Sequence, residues 1–131
     1  MIGIDTNILL RIINDDDRAQ SKRIRALLAP LDPIPQSVLI NDVVLAETVW
    51  TLQSAYRWNK PEIVAALRLL AATATFAFED RDILLSAISA YERSGAGFAD
   101  SLIAAKNVAA GCDFTATFDR AMRLLPGAKV L

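Results

Sequence analysis

Short apolar runs alternate with stretches of helical periodicity along the whole chain, and this alternation limits the fold more than any other feature. MIGID, SVLIN, TFAFED, DFTATF and AKVL read as strands. Between them, apolar residues recur every three to four positions. The segment NILLRIIN at 7–14 reads as a short helix, and 17–29 as an amphipathic helix with Ile24, Leu27 and Leu28 on one face. A long helix is expected over 43–58 and another over 61–73, the latter with a stripe of Ile63, Val64, Leu67 and Leu70. Further helices are expected at 81–94, at 98–111 and in DRAMRLL, and the nearly all-apolar character of 98–111 predicts burial. Short apolar strands alternating with helices indicate an α/β fold with a parallel sheet covered on both faces. In such folds, sites form beyond the C-terminal ends of the strands, where the strand order reverses.

Composition narrows the chemistry. The 131 residues suit one domain, and no repeat, low-complexity stretch or linker divides them. No apolar stretch reaches the ~18 residues that suggest a membrane span, and no signal peptide is visible, so the cytoplasm is the expected location. There is no histidine, which excludes imidazole acid–base catalysis and histidine-bound metals. The single cysteine, Cys112, excludes an intramolecular disulfide and a cysteine-rich zinc site, and its apolar context predicts a buried residue. Hydrolytic chemistry would therefore rest on carboxylates, hydroxyls, lysines or arginines. A net charge of −1 gives no overall basic field, although a local basic patch remains compatible with it.

Four acids stand out from the solvated acidic turn Asp15–Asp17, which is expected to lead into the helix at 17–29. Asp5 follows the first strand and Asp119 follows DFTATF. Asp100 begins the apolar helix. Glu47 lies mid-helix, with Val43, Val44 and Trp50 three or four residues away, and is expected to project inward. Each has an ordinary reading: Asp5, Asp100 and Asp119 as helix caps or partners of a helix dipole, and Glu47 as half of a buried ion pair with Arg11 or Arg57. Taken together they fall at one rim of the expected sheet. Converging carboxylates repel one another, and a hard divalent cation with oxygen ligands relieves that repulsion.

The segments IDTNILLR, NDVVLAETVWTL, GFADSLIAA and TATFDRAMRLLPG, in this order and spacing, resemble a PIN domain. More narrowly, they resemble the VapC toxin branch of type II toxin–antitoxin ribonucleases. The resemblance implies a three-layer α/β/α sandwich with a central parallel sheet of about five strands. It also implies an endoribonuclease dependent on Mg²⁺ or Mn²⁺. Asp5, Glu47, Asp100 and Asp119 correspond to its metal-binding and catalytic carboxylates. Thr117 matches a hydroxyl residue that positions the site, and Thr6 and Asn7 match the residues after the first acid.

The resemblance further implies a metal-activated water as nucleophile, leaving 5′-phosphate and 3′-hydroxyl ends on RNA. The RNA target, whether transfer, ribosomal or messenger RNA, is not legible. Arg11, Lys106, Arg120 and Arg123 lie near the motifs and are candidate RNA contacts. Trp50 and Trp58 are expected in core or interface. The implied partners are a small antitoxin and a second copy of the chain. Receiver domains and haloacid-dehalogenase-type phosphatases fit poorly, the first for want of an acidic pair after the first strand, the second because Asn7 stands where a second aspartate is needed. A PIN fold that binds RNA or protein without cutting is the stronger alternative.

Overall fold

A computed structural model describes residues 1–131. The chain divides into two units, 1–79 and 80–131.

The first unit contains strands β1 (Ile2–Gly3), β2 (Val38–Leu39) and β3 (Phe76–Ala77), and helices α1 (Thr6–Ile13), α2 (Arg18–Leu28), α3 (Asp42–Ser54) and α4 (Lys60–Ala72). The strands form a parallel sheet in the order β1-β2-β3, with Ile2 opposite Val38 and Val38 opposite Phe76. Helix starts coincide with residues that suit them. Asp17 caps α2 through the Gln20 amide, and Asn41 caps α3 through the Val44 amide. At α4, Asn59 and Glu62 form a reciprocal capping box, with Pro61 in the first turn, where its missing N–H costs no hydrogen bond. The core of this unit is aliphatic: Leu9, Val38, Ile40, Leu45 and Ile63 are fully buried.

The second unit contains α5 (Arg81–Arg93), α6 (Phe98–Ala109), β4 (Thr115–Thr117) and β5 (Ala128–Val130). A 3-10 turn at Arg120–Leu124 crosses between the two parallel strands. Helices α5 and α6 pack on each other, with Tyr91 and Phe98 meeting edge to face at 5.9 Å between ring centroids. Ala96, Ala104, Met122 and Leu125 close the apolar core beneath the turn.

All five expected strands form and every pairing is parallel, but the hydrogen-bonded ladders group them as three and two. Several local expectations change. Helix α3 ends at Ser54 and not at 58, because Arg57 takes a left-handed backbone (φ 56°) and the Trp58 amide turns back to the Leu52 carbonyl. DRAMRLL forms a 3-10 turn in place of an α-helix. Helix α6 is not wholly buried, since Ile103 and Val108 are about half exposed, as is Leu27 on α2. Cys112 is exposed, not buried, because it follows Gly111, whose positive φ carries the chain out of α6 into a surface turn. Trp50 is 69% exposed and so is not a core residue, while Trp58 is half-buried. No helix is long and apolar enough to cross a membrane.

Thr48, in the middle of α3, is buried and its hydroxyl has no hydrogen-bond partner. Replacing it with the isosteric valine removes an unsatisfied buried group without opening a cavity. Thr48→Val is therefore expected to stabilise the chain by about 1 kcal/mol, read from the midpoint of a urea titration. A destabilised variant would mean that the hydroxyl has a partner in solution.

Candidate functional site

In the first unit, Asp5 lies two residues beyond β1 and is the N-cap of α1, with Oδ1 accepting from the Ile8 amide at 3.1 Å. The ordinary capping duty is thus real, and it holds the carboxylate at the strand's end. Thr6 follows as the first helical residue, and its hydroxyl donates to Glu47 Oε1 at 3.2 Å. This bond ties α1 to the middle of α3, which packs against it. Glu47 does not point into the core: it is exposed, between the exposed Val43 and Trp50 on the same helix face. It has no ion pair with Arg11 or Arg57. The inward orientation expected for it fails because those apolar neighbours mark a surface and not the interior.

A cleft of about 370 Å³ opens beside Asp5 and Asn7. Arg11 lines it but is already engaged. Its guanidinium pairs with Asp16 at 3.0 Å, donates to the Tyr56 hydroxyl at 3.3 Å and donates from Nε to Gln20 Oε1 at 2.9 Å. Tyr56 in turn donates to Asp16 at 3.0 Å. The Tyr56 hydrogen bond is the largest influence holding the Arg11 pKa above its ordinary value. Arg11 is therefore a structural pin of this cleft.

In the second unit, Asp100 occupies the first turn of α6, whose N-cap Gly97 contributes no side-chain hydrogen bond. Partial burial raises the Asp100 pKa, and the charge of Asp119 raises it further. Asp119 caps the 3-10 turn, with Oδ1 accepting from the Ala121 amide at 2.8 Å. Thr117, at the end of β4, accepts from the Asp119 amide at 3.0 Å and donates to Met122 Sδ at 3.3 Å. Thr117, Asp119 and Asp100 thus belong together. Phe118, between Thr117 and Asp119, is 83% exposed.

Lys106 lies in the last turn of α6, about 9 Å along the helix axis from Asp100 at 1.5 Å per residue. Arg120 is exposed beside Asp119, and Arg123 folds back to donate to the Arg120 carbonyl. None of Asp5, Glu47, Asp100 and Asp119 forms an ion pair. Two of these carboxylates lie in each unit, and within neither unit do three or more acidic or cysteine side chains come together closely enough to hold a metal ion. The donors are carboxylates and hydroxyls, which suit a hard cation such as Mg²⁺ or Mn²⁺ and suit soft ions poorly.

Sequence reasoning missed Gln20, Arg23 and Tyr56. The first two line the Asp5 cleft from the face of α2 that also carries Ile24 and Leu27, and their spacing of i, i+3, i+4 and i+7 is the signal the sequence holds for that shared face. Tyr56 meets Arg11 across 45 residues of sequence, which no local pattern signals.

A family model described as PIN domain matches residues 2–127. No curated protein matches the chain.

The raised pKa of Asp100 has a consequence for stability. An acid whose folded pKa exceeds its unfolded value, here 3.8, binds its proton more tightly when folded, so stability falls as pH rises through the interval between the two. Asp100→Asn removes the ionised carboxylate. In thermal melts without divalent ions, the variant is expected to melt about 2 °C above the parent at pH 7, with the gain shrinking as pH falls toward 4. A gain that does not vary with pH would contradict the assignment.

Proposed function

The chain belongs to the PIN-domain family, a family of nucleases, and on that premise we propose that it is a metal-dependent endoribonuclease acting as the toxin of a type II toxin–antitoxin pair. The two units work as one PIN domain, a reading supported by the single family match that runs through both. Asp5, Glu47, Asp100 and Asp119 hold the ion, Mg²⁺ or Mn²⁺, and Thr6, Asn7 and Thr117 support them. The observation that carries the proposal is the state of the acids. Four carboxylates at the positions of the family's motifs have no cationic partner, and the pKa of one of them, Asp100, is raised by partial burial and further by the charge of Asp119. Two acids that repel each other in this way gain stability when a divalent cation binds.

Such an ion, when bound, would acidify a water that serves as nucleophile and would offset charge on the scissile phosphate. The chain's own residues prepare the place for it. Capping bonds fix Asp5 and Asp119 at the start of their helical turns, so each carboxylate keeps one orientation. The Thr6 hydroxyl fixes one oxygen of Glu47, and Thr117 fixes the backbone of Asp119. With no histidine in the chain, a water nucleophile is the route that fits, and the products carry 5′-phosphate and 3′-hydroxyl ends.

The toxin assignment rests on the resemblance of the motifs to the VapC branch. A cytoplasmic location, a small antitoxin and a homodimer belong to the same proposal. The exposed Val43 and Trp50 flanking Glu47 support a protein partner on that face, since large apolar side chains on a surface favour being covered.

Purified chain, free of antitoxin, is expected to cut cellular RNA at discrete positions with Mn²⁺ or Mg²⁺ and not with chelator. Asp100→Asn is expected to lower kcat by more than about a hundredfold, beyond the ~10–100-fold typical of losing an outer contact to a metal site. A folded parent that binds RNA but cuts none with either ion would identify the chain as a binding module.

A further inference from the structure

We infer that the cleft beside Asp5 is a nucleotide subsite, in which Arg23 holds a phosphate of single-stranded RNA and Ile8, Ile24 and Leu27 take the face of the adjoining base. The inference rests on the nuclease reading and deepens it by naming where substrate is gripped.

Charge points to the phosphate. Two arginines line the cleft. Arg11 is neutralised by Asp16 and held by Tyr56 and Gln20. Arg23, on the opposite wall formed by α2, is exposed and has neither an ion pair nor a hydrogen bond. The cleft therefore offers one uncommitted guanidinium, the side chain best suited to bind a phosphate through two hydrogen bonds. Both Arg18 and Arg25 lie on the same helix but outside the cleft, and Arg25 is paired with Asp15.

The remaining lining points to a base. Ile8 from α1 and Ile24 and Leu27 from α2 give an apolar wall, with Leu27 about half exposed. Gln20 stands at the polar edge. Its Oε1 is taken by Arg11 Nε, so its Nε2 hydrogens remain for an acceptor on a base edge. The volume, about 370 Å³, lies near the lower end of the ~300–1,000 Å³ usual for small-ligand sites and suits a single residue of a chain. A nucleotide brings both an anion and a flat uncharged ring. A peptide has to supply the anion and the apolar group from two separate side chains, whereas one nucleotide carries both. Unstacked bases of single-stranded RNA are the form in which RNA offers its ring faces.

The test uses the full chain in chelator, so that binding is read without cleavage. A fluorescent short single-stranded RNA is titrated at a series of salt concentrations. Arg23→Gln is expected to weaken binding about tenfold and to flatten the salt dependence by about 0.7, the increment for one phosphate on a single strand. Arg23→Lys should keep the slope, and Arg25→Gln should change neither quantity. RNA with one base removed should bind the parent more weakly and should bind Leu27→Asn no worse than intact RNA does. Arg23→Gln binding with the parent's affinity and slope would overturn the subsite. If the parent still cuts RNA with Mn²⁺ in that case and Asp100→Asn does not, the nuclease reading stands alone. A parent that neither binds nor cuts RNA would remove both. Tighter, Arg23-dependent binding of poly-glutamate would overturn the subsite in favour of a protein ligand.

Discussion

The hydrogen bond from the Ile8 amide to Asp5 Oδ1 serves two ends at once. It satisfies a donor at the start of α1 that would otherwise lack a partner, and it holds a carboxylate at the place where β1 hands over to the helix. In a parallel sheet every strand is followed by such a handover, and the chain repeats the device. Asn41 follows β2 and caps α3, while Asp119 follows β4 and caps the 3-10 turn. Capping and ligation are therefore not rival explanations for Asp5 and Asp119. One oxygen locks the side chain, and the locked carboxylate is what a metal site needs, because a ligand already held in place loses little freedom on binding.

The second unit shows what such an arrangement costs. Asp100 lies partly buried near Asp119, with no cation to offset either charge. Removing either charge would relieve that cost, and so would a bound cation, which is how the proposed site accounts for the pair. The first unit handles its charges otherwise. Arg11 and Asp16 neutralise each other and Tyr56 completes the network, so this part of the cleft is rigid and electrically quiet.

Element order was legible because helix starts carry short polar residues: Asp5, Asn41 and Asp80 cap helices that follow strands, and Asn59 caps the helix that follows α3. The acids were legible by their positions relative to those boundaries. Their partners were not, since the bond between Thr6 and Glu47 spans 41 residues and depends on how α1 lies on α3. The exposure of Glu47 was misjudged for a physical reason. Periodicity equates an apolar face with a buried one, and Val43 and Trp50 break that equation. Cys112 was misjudged in the same way, because the left-handed turn at Gly111 overrides the apolar context.

The boundary at residue 79 also sets an order in time. Both units are contiguous in sequence, and the whole β1-β2-β3 sheet lies before it. Synthesis proceeds from the N-terminus at ~5–20 residues per second, and domains fold in the order they emerge. The half bearing Asp5 and Glu47 has all its own strands once residue 79 clears the ribosome. Asp100, Asp119 and β5 follow seconds later. If the four acids act together as proposed, a nascent chain carries an incomplete acid set until residue 119 has been added.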